Sequence, residues 1–138
     1  MTVLDAYALI AFLIGGPAAA QVRSILRGGD AAIATANLVE VLDVSQRVHH
    51  VPIARTLEAL EPLLEEPLTV LPLDAATAFR AAEIRARHYH RAQRLISLAD
   101  AVLIASANDA DLIATADPDV LAVAAAEQHE VVVLPGQG

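Results

Sequence analysis

Four acidic residues stand where alternating strands and helices would bring carboxylates to one edge: Asp5 after Thr2-Val3-Leu4, Glu40 in a helix following Ala31 to Ala34, Asp100 in Ser97-Leu98-Ala99-Asp100, and Asp117 after Leu112-Ile113-Ala114. Each has an ordinary explanation when taken singly. Asp is among the preferred helix N-caps, and a Glu in the early turns of a helix is favoured by the helix dipole. Gathered together, they imply a different chemistry. Four neighbouring carboxylates cannot all stay ionised without a compensating cation, and a ligand set made only of oxygen suits Mg²⁺ or Mn²⁺. Two such ions roughly 4 Å apart are a known device for phosphodiester hydrolysis.

The elements that must position these acids are legible around them. Ser97 and Asp100 have capping-box spacing, which puts Asp100 in a first helical turn. The Asp117-Pro118 pair opens another helix, with Pro at its first position. Asp5 follows a short strand and precedes a helix over 6–14 that Gly15-Gly16 stops, and Pro17 opens a second helix that Gly28-Gly29 stops. Thr35 is the expected N-cap of a helix running through Val48, with Asn37 and Glu40 on one side and Leu38, Val41 and Leu42 on another. A helix over 52–66, a strand over 68–71, a helix capped by Asp74 and a last strand over 130–134 complete the series. In that Asp74-capped helix Phe79, Ala82, Ala86 and Tyr89 fall at helical spacing and are expected to face the core. The alternation indicates an α/β fold with a mainly parallel sheet, whose strand C-terminal edge is where ligands bind.

Composition narrows the function classes. The 138 residues suffice for one domain, and 56% hydrophobic with only 3% aromatic residues implies a core of Ala, Val, Leu and Ile. Cysteine is absent, which removes disulfides and thiolate metal sites and permits a reducing compartment. All nine basic residues are arginine, so lysine-dependent phosphate loops, Schiff-base enzymes and phosphoacceptor domains are poor fits. Residues 6–22 are uncharged, but Gly15-Gly16-Pro17 breaks the run, so the chain is read as soluble, without a membrane segment, and expected in the cytoplasm. The tail, 135–138, is expected to fray.

The net charge of −8 opposes general nucleic-acid affinity. Its distribution is uneven. Residues 80–94 hold five arginines against Glu83, a net +4, leaving −12 on the rest. On a continuing helix Arg80, Arg87, Arg91 and Arg94 would share one side, either a solvated face or an edge for phosphate, whose geometry the arginine fork matches. The pairs His49/His50 and His88/His90 point apart on a helix and are poor metal ligands.

Four blocks then carry a family resemblance: VLDAYALIAFL at 3–13, ATANLVEVLDV at 34–44, LISLADAVLIASA at 95–107 and IATADPDVL at 113–121. In this order they resemble the motifs of PIN-domain ribonucleases, in particular the VapC-type toxins of bacterial toxin–antitoxin systems. The resemblance implies a PIN-like three-layer α/β fold over 1–138, with a mainly parallel sheet of about five strands flanked by helices. It implies that Asp5, Glu40, Asp100 and Asp117 hold the divalent metal, Mg²⁺ or Mn²⁺, and are catalytic. Thr115 and Asp119 would support the site, and Asn37 would stand behind the ligands. Tyr7 departs from the pattern, since the family often has Ser or Asn there. The activity implied is hydrolysis of RNA by water, without a covalent enzyme intermediate, with the arginines of 80–94 contacting the RNA backbone. A cognate antitoxin and a homodimer are the implied partners, and apolar positions between 52 and 66 are compatible with an interface. The competing reading is a PIN-fold metal- or RNA-binding module without turnover.

Overall fold

The computed structural model describes residues 1–136. Five short strands, β1 (Thr2–Leu4), β2 (Ala31–Ala34), β3 (Leu68–Leu71), β4 (Leu112–Thr115) and β5 (Glu130–Val133), form one sheet in the order β3-β2-β1-β4-β5. Every neighbouring pair is parallel. Helices α1 (Ala6–Ile14), α2 (Ala19–Arg27), α3 (Thr35–Arg47) and α4 (Ile53–Glu65) precede and flank β3 in the chain, and α5 (Ala75–His88), α6 (Leu98–Ser106) and α7 (Pro118–Ala126) follow it.

Side-chain alternation along the strands divides the core into two layers. Val3, Ala32 and Ile113 point to one face and pack with α5, α6 and α7, while Leu4, Ile33 and Ala114 point to the other and pack with α1 to α4. The result is the three-layer α/β arrangement that the strand–helix alternation indicated. Small alanines in β2 let both layers close tightly, and all four of its residues are buried. No single helix among the described residues is long and apolar enough to cross a membrane; the apolar α1 and α2 meet at 103°.

Chain order makes β1 the pivot. The strands run outward to β2 and β3 on one side, then return to β4 and β5 on the other. The gap between the ends of β1 and β4 is therefore the switch point of the sheet, where helices leave in diverging directions. Leu4 pairs with both Ile33 and Ala114, so Asp5 and Thr115 stand side by side at the C-terminal edge.

Several sequence expectations are corrected here. Thr35 does not cap α3; it is the first helical residue, Ala34 precedes it without a side-chain cap, and the Thr35 hydroxyl donates to the Leu71 carbonyl at 2.7 Å. The hydroxyl is used to join α3 to the end of β3. Pro17 lies in the turn before α2, which starts at Ala19. Phe79, Ala82, Ala86 and Tyr89 face solvent, because α5 packs through Thr77, Ala81 and Ile84 instead. Nor does α5 continue through the arginines: it ends at His88, and residues 90–94 form a turn closed by backbone bonds between His90 and Arg94.

Candidate active site

The cavity at the switch point, about 470 Å³, is lined by Asp5, Tyr7, Asn37, Glu40, Asp100 and Asp117, together with Ala6, Ala116, Pro118 and Gly136. Four elements meet there. Asp5 is the N-cap of α1, Glu40 comes from the second turn of α3, Asp100 is the third residue of α6, and Asp117 is the N-cap of α7. Three helix N-termini thus converge on one place. Asp5, Asp100 and Asp117 each satisfy an otherwise orphaned backbone donor, so their ordinary capping role and their presence at the site have the same cause.

The hydrogen bonds hold one oxygen of Asp100, Asp117 and Glu40 and leave the other available. Asp100 Oδ2 accepts from the Ser97 N–H (3.0 Å), while the Ser97 hydroxyl accepts from the Asp100 N–H (3.0 Å), closing the capping box. Asp117 Oδ1 accepts from the N–H groups of Asp119 (2.8 Å) and Val120 (3.4 Å), and Glu40 Oε1 accepts from Asn37 Nδ2 (3.0 Å). Among the described residues, nothing donates to Asp100 Oδ1, Asp117 Oδ2 or Glu40 Oε2. Asp5 is different. Its Oδ1 accepts from the Ala8 N–H (2.8 Å) and its Oδ2 from the Thr115 hydroxyl (2.5 Å), and it is 7% exposed. Thr115 is fully buried, and its Oγ1 also accepts from the Asp117 N–H (3.1 Å), which links the ends of β1 and α7 through one hydroxyl.

Electrostatics records the crowding. Burial pushes the Asp5 carboxyl up to about 6, and the charges of Asp100 and Asp117 add to the shift against the lowering by Thr115 and Ala8. Glu40 is raised by burial and then by Asp100, and Asp100 by burial and by Asp117 and Asp119. No arginine lines the cavity. Asn37 is 1% exposed, and its Oδ1 has no hydrogen-bond partner. An unpartnered buried amide oxygen beside several repelling carboxylates is a setting that a hydrated cation relieves. Among the described residues no three acids or histidines stand close enough to enclose an ion by themselves. The donors suit Mg²⁺, which keeps several waters and takes only one or two carboxylates directly. The residues present therefore fit a hydrated divalent cation.

The remaining sequence-predicted residues separate. Asp119 is engaged with Arg94 (3.1 Å) at the rim and does not line the cavity. Arg91 is exposed in the same turn as Arg94. Arg80 donates to the Ala105 carbonyl (3.2 Å) at the far end of α6 from Asp100, and Arg87 pairs with Glu127 (2.6 Å) at the far end of α7 from Asp117. Both line another cavity with Glu83, Asn108, Asp109 and His129. The arginine stretch thus does not act as one edge. Tyr7 lines the site, but its hydroxyl donates to the Pro135 carbonyl (2.6 Å), so it holds the segment after β5 rather than meeting the acids. That contact was missed in sequence. Its signal was the parallel register, which brings the end of β5 to the edge that carries the acids. Of the tail 135–138 expected to fray, Pro135 is joined to Tyr7 and Gly136 lines the cavity, and 137–138 lie outside the described residues.

A model of the PIN domain matches residues 2–126. The chain belongs to the PIN-domain family. PIN domains are generally nucleases that depend on divalent metal. Solved structures similar to this PIN chain include a DNA-bound VapBC from Salmonella typhimurium, with TM-score 0.72, 17% identity, and 96% of each chain covered. VapBC2 from Rickettsia felis bound to a promoter DNA fragment gives TM-score 0.70 at 13% identity, covering 97% of this chain and 98% of that one. A toxin–antitoxin complex from Klebsiella pneumoniae gives 0.63 at 19% identity, covering 88% and 91%. At these identities the likeness is one of fold. No match is found among curated proteins.

Proposed function

We propose that this PIN domain is a Mg²⁺- or Mn²⁺-dependent endoribonuclease and the toxin of a toxin–antitoxin pair, acting in the cytoplasm as a homodimer. The observation that carries the reading is the cavity at the switch point, where Asp5, Glu40, Asp100 and Asp117 meet without an arginine among them. Asp100 and Asp117 each keep one carboxylate oxygen free and would hold a hydrated divalent ion, with Glu40 reaching it through water. Asp5, held by Thr115 and the α1 N-terminus, supplies fixed negative charge beneath them. Asn37 orients Glu40 through its amide N–H, and its unpartnered carbonyl oxygen would accept from a water of a hydrated ion. When bound, the ion supplies a water of lowered pKa and a counter-charge for the leaving oxygen. The carboxylates would receive the water's proton as the oxygen–phosphorus bond forms and the ester bond opposite it breaks, and the departing oxygen would take a proton from solvent.

Arg94, paired with Asp119 at the rim, and the exposed Arg91 of the same turn would meet RNA phosphates; Arg80 and Arg87 would meet only more distant backbone. An antitoxin segment bringing a basic side chain into the acidic cavity would displace the metal and silence the enzyme. Toxin–antitoxin complexes among the solved relatives support that partner.

The test is cleavage of a mixed pool of tRNA, rRNA and synthetic single strands with Mg²⁺ or Mn²⁺, beside an identically prepared Asp100→Asn protein. Metal-dependent cutting that falls at least about 10²-fold in the variant is expected, the scale of losing a key charge stabiliser. Equal cutting by both proteins would overturn the site. Absence of cutting together with metal binding lost in Asp100→Asn would leave a metal-binding module without turnover.

A further inference from the structure

The wall of the acidic cavity is not uniform. The carboxylates and Asn37 make one part of its lining; the rest is apolar or small, with Ala6, Ala116, Pro118 and Gly136 beside Tyr7. Of the two Phe and two Tyr in the chain, one, Tyr7, belongs to that lining. It is half-buried, and its ring packs against the side of the core formed by α1 to α4. Its backbone lies in the first turn of α1, and its hydroxyl donates to the Pro135 carbonyl at 2.6 Å. Tied at both ends, the ring is held in place before any ligand arrives, which lowers the cost of binding to it. The cavity is also larger than an ion needs. The octahedral water shell of Mg²⁺, at about 30 Å³ per water, fills less than half of its 470 Å³ and leaves room for a flat group beside the apolar lining.

We propose that Tyr7 stacks on one unpaired nucleobase of the RNA, the base next to the phosphodiester that the acids address, and thereby selects strands in which a base is free to leave its neighbours. The inference rests on the RNA-cleaving reading of the site and adds to it the group that orients the nucleotide. Phosphate and base of one nucleotide are separated by a single sugar, so a strand whose phosphate reaches the acids brings a base into the same cavity. The carboxylates offer nothing to the face of that base; the Tyr7 ring does. Stacking on an aromatic side chain is how proteins commonly hold splayed bases, and it tolerates any sequence because every base has a π-face. In a duplex the bases stack on one another and their faces are not available. Tyr7 is thus a binding and positioning residue, its hydroxyl already committed to Pro135.

The chain has no tryptophan and two tyrosines, so each tyrosine can be observed alone. In the Tyr89→Phe protein all tyrosine emission comes from Tyr7; in Tyr7→Phe all of it comes from Tyr89. Both are titrated with a mixed-sequence single-stranded RNA in Ca²⁺, which takes the same oxygen ligands as Mg²⁺, while anisotropy of a labelled strand follows binding. Saturable quenching of Tyr7 and not of Tyr89 is expected, the Tyr89 signal also correcting for light absorbed by the RNA. Binding without quenching of Tyr7, or with equal quenching of both, would overturn the stacking and leave the cleavage reading untouched. Quenching of Tyr7 by a wild-type site that cuts no RNA would keep the stacking and overturn the cleavage; a strand that does not bind at all would overturn both. Affinity gives a second measure. It is expected to fall at least about fivefold in Tyr7→Leu and to stay within about twofold in Tyr7→Phe, with no change in either for the perfect duplex and with unaltered far-UV circular dichroism. If Tyr7 served only to tether the segment after β5, Phe would fail as Leu does, and that result would overturn the proposal.

Discussion

Thr115 shows how much a single hydroxyl does at this edge. It donates to Asp5 and accepts from the Asp117 N–H while fully buried. Thr115→Val is expected to cost about 1–3 kcal/mol in denaturant unfolding, because it leaves a buried carboxylate and a backbone donor without that partner; Thr115→Ser should retain most of the stability. The Asp5 carboxyl gives a pH dependence with a definite sign. Its value is about 6 in the folded chain against an ordinary 3.8. Below about pH 4 it is protonated in both states and costs nothing. Between about pH 4 and 6 the unfolded chain ionises while the folded one keeps its proton, so stability falls, and it levels off above about 6 once the folded carboxyl also ionises. The loss is on the order of 3 kcal/mol by about pH 7.5, and the raised Glu40 and Asp100 act in the same direction. Thermal midpoints in EDTA should therefore decrease from about pH 5 to pH 8, and Asp5→Asn should flatten the curve. A midpoint that instead rises over this interval would contradict the crowding.

At the scale of elements, the three converging helix N-termini explain why capping and chemistry coincide. The capping box of α6 fixes Asp100 through Ser97. Ser97→Ala is expected to cost about 1 kcal/mol and to lower cleavage, since the Asp100 N–H loses its hydroxyl acceptor and with it the order of the first turn that aims the free carboxylate oxygen; Ser97→Thr should behave as wild type. The acids, the capping box and the Pro118 helix start could be read directly from local sequence, since each depends on residues within one helical turn. The face of α5 could not. Two stripes at helical spacing compete on it, and the stripe with the aromatics is the more hydrophobic. Packing selected the other because Ala81 and Ile84 allow α5 a close approach to α6. The arginine stretch was misread for a related reason. Charge gave no indication that α5 would stop at His88, or that Arg87 and Arg94 would find Glu127 and Asp119 at opposite ends of α7.

For the molecule as a whole, metal and folding should be linked. A cation that binds only the folded chain stabilises it by about 2.7 kcal/mol at a hundred times its dissociation constant. Mg²⁺ or Mn²⁺ is therefore expected to raise the thermal midpoint of the wild type at pH 7.5, with little effect on Asp100→Asn; equal shifts in both would place the ion elsewhere. The sequence by itself determined the strand–helix alternation, the identities of the four acids and the local caps that turn them towards helix starts, because these follow from period, propensity and near-neighbour hydrogen bonding. Only the tertiary structure decided that Thr115 would lie beneath Asp5, that Tyr7 would turn to Pro135, and that an apolar stripe of α5 would be left uncovered. Those outcomes depend on strand order and on which helix face closes more tightly against its neighbours. Both are set by contacts between residues far apart in the chain, which local patterning does not encode.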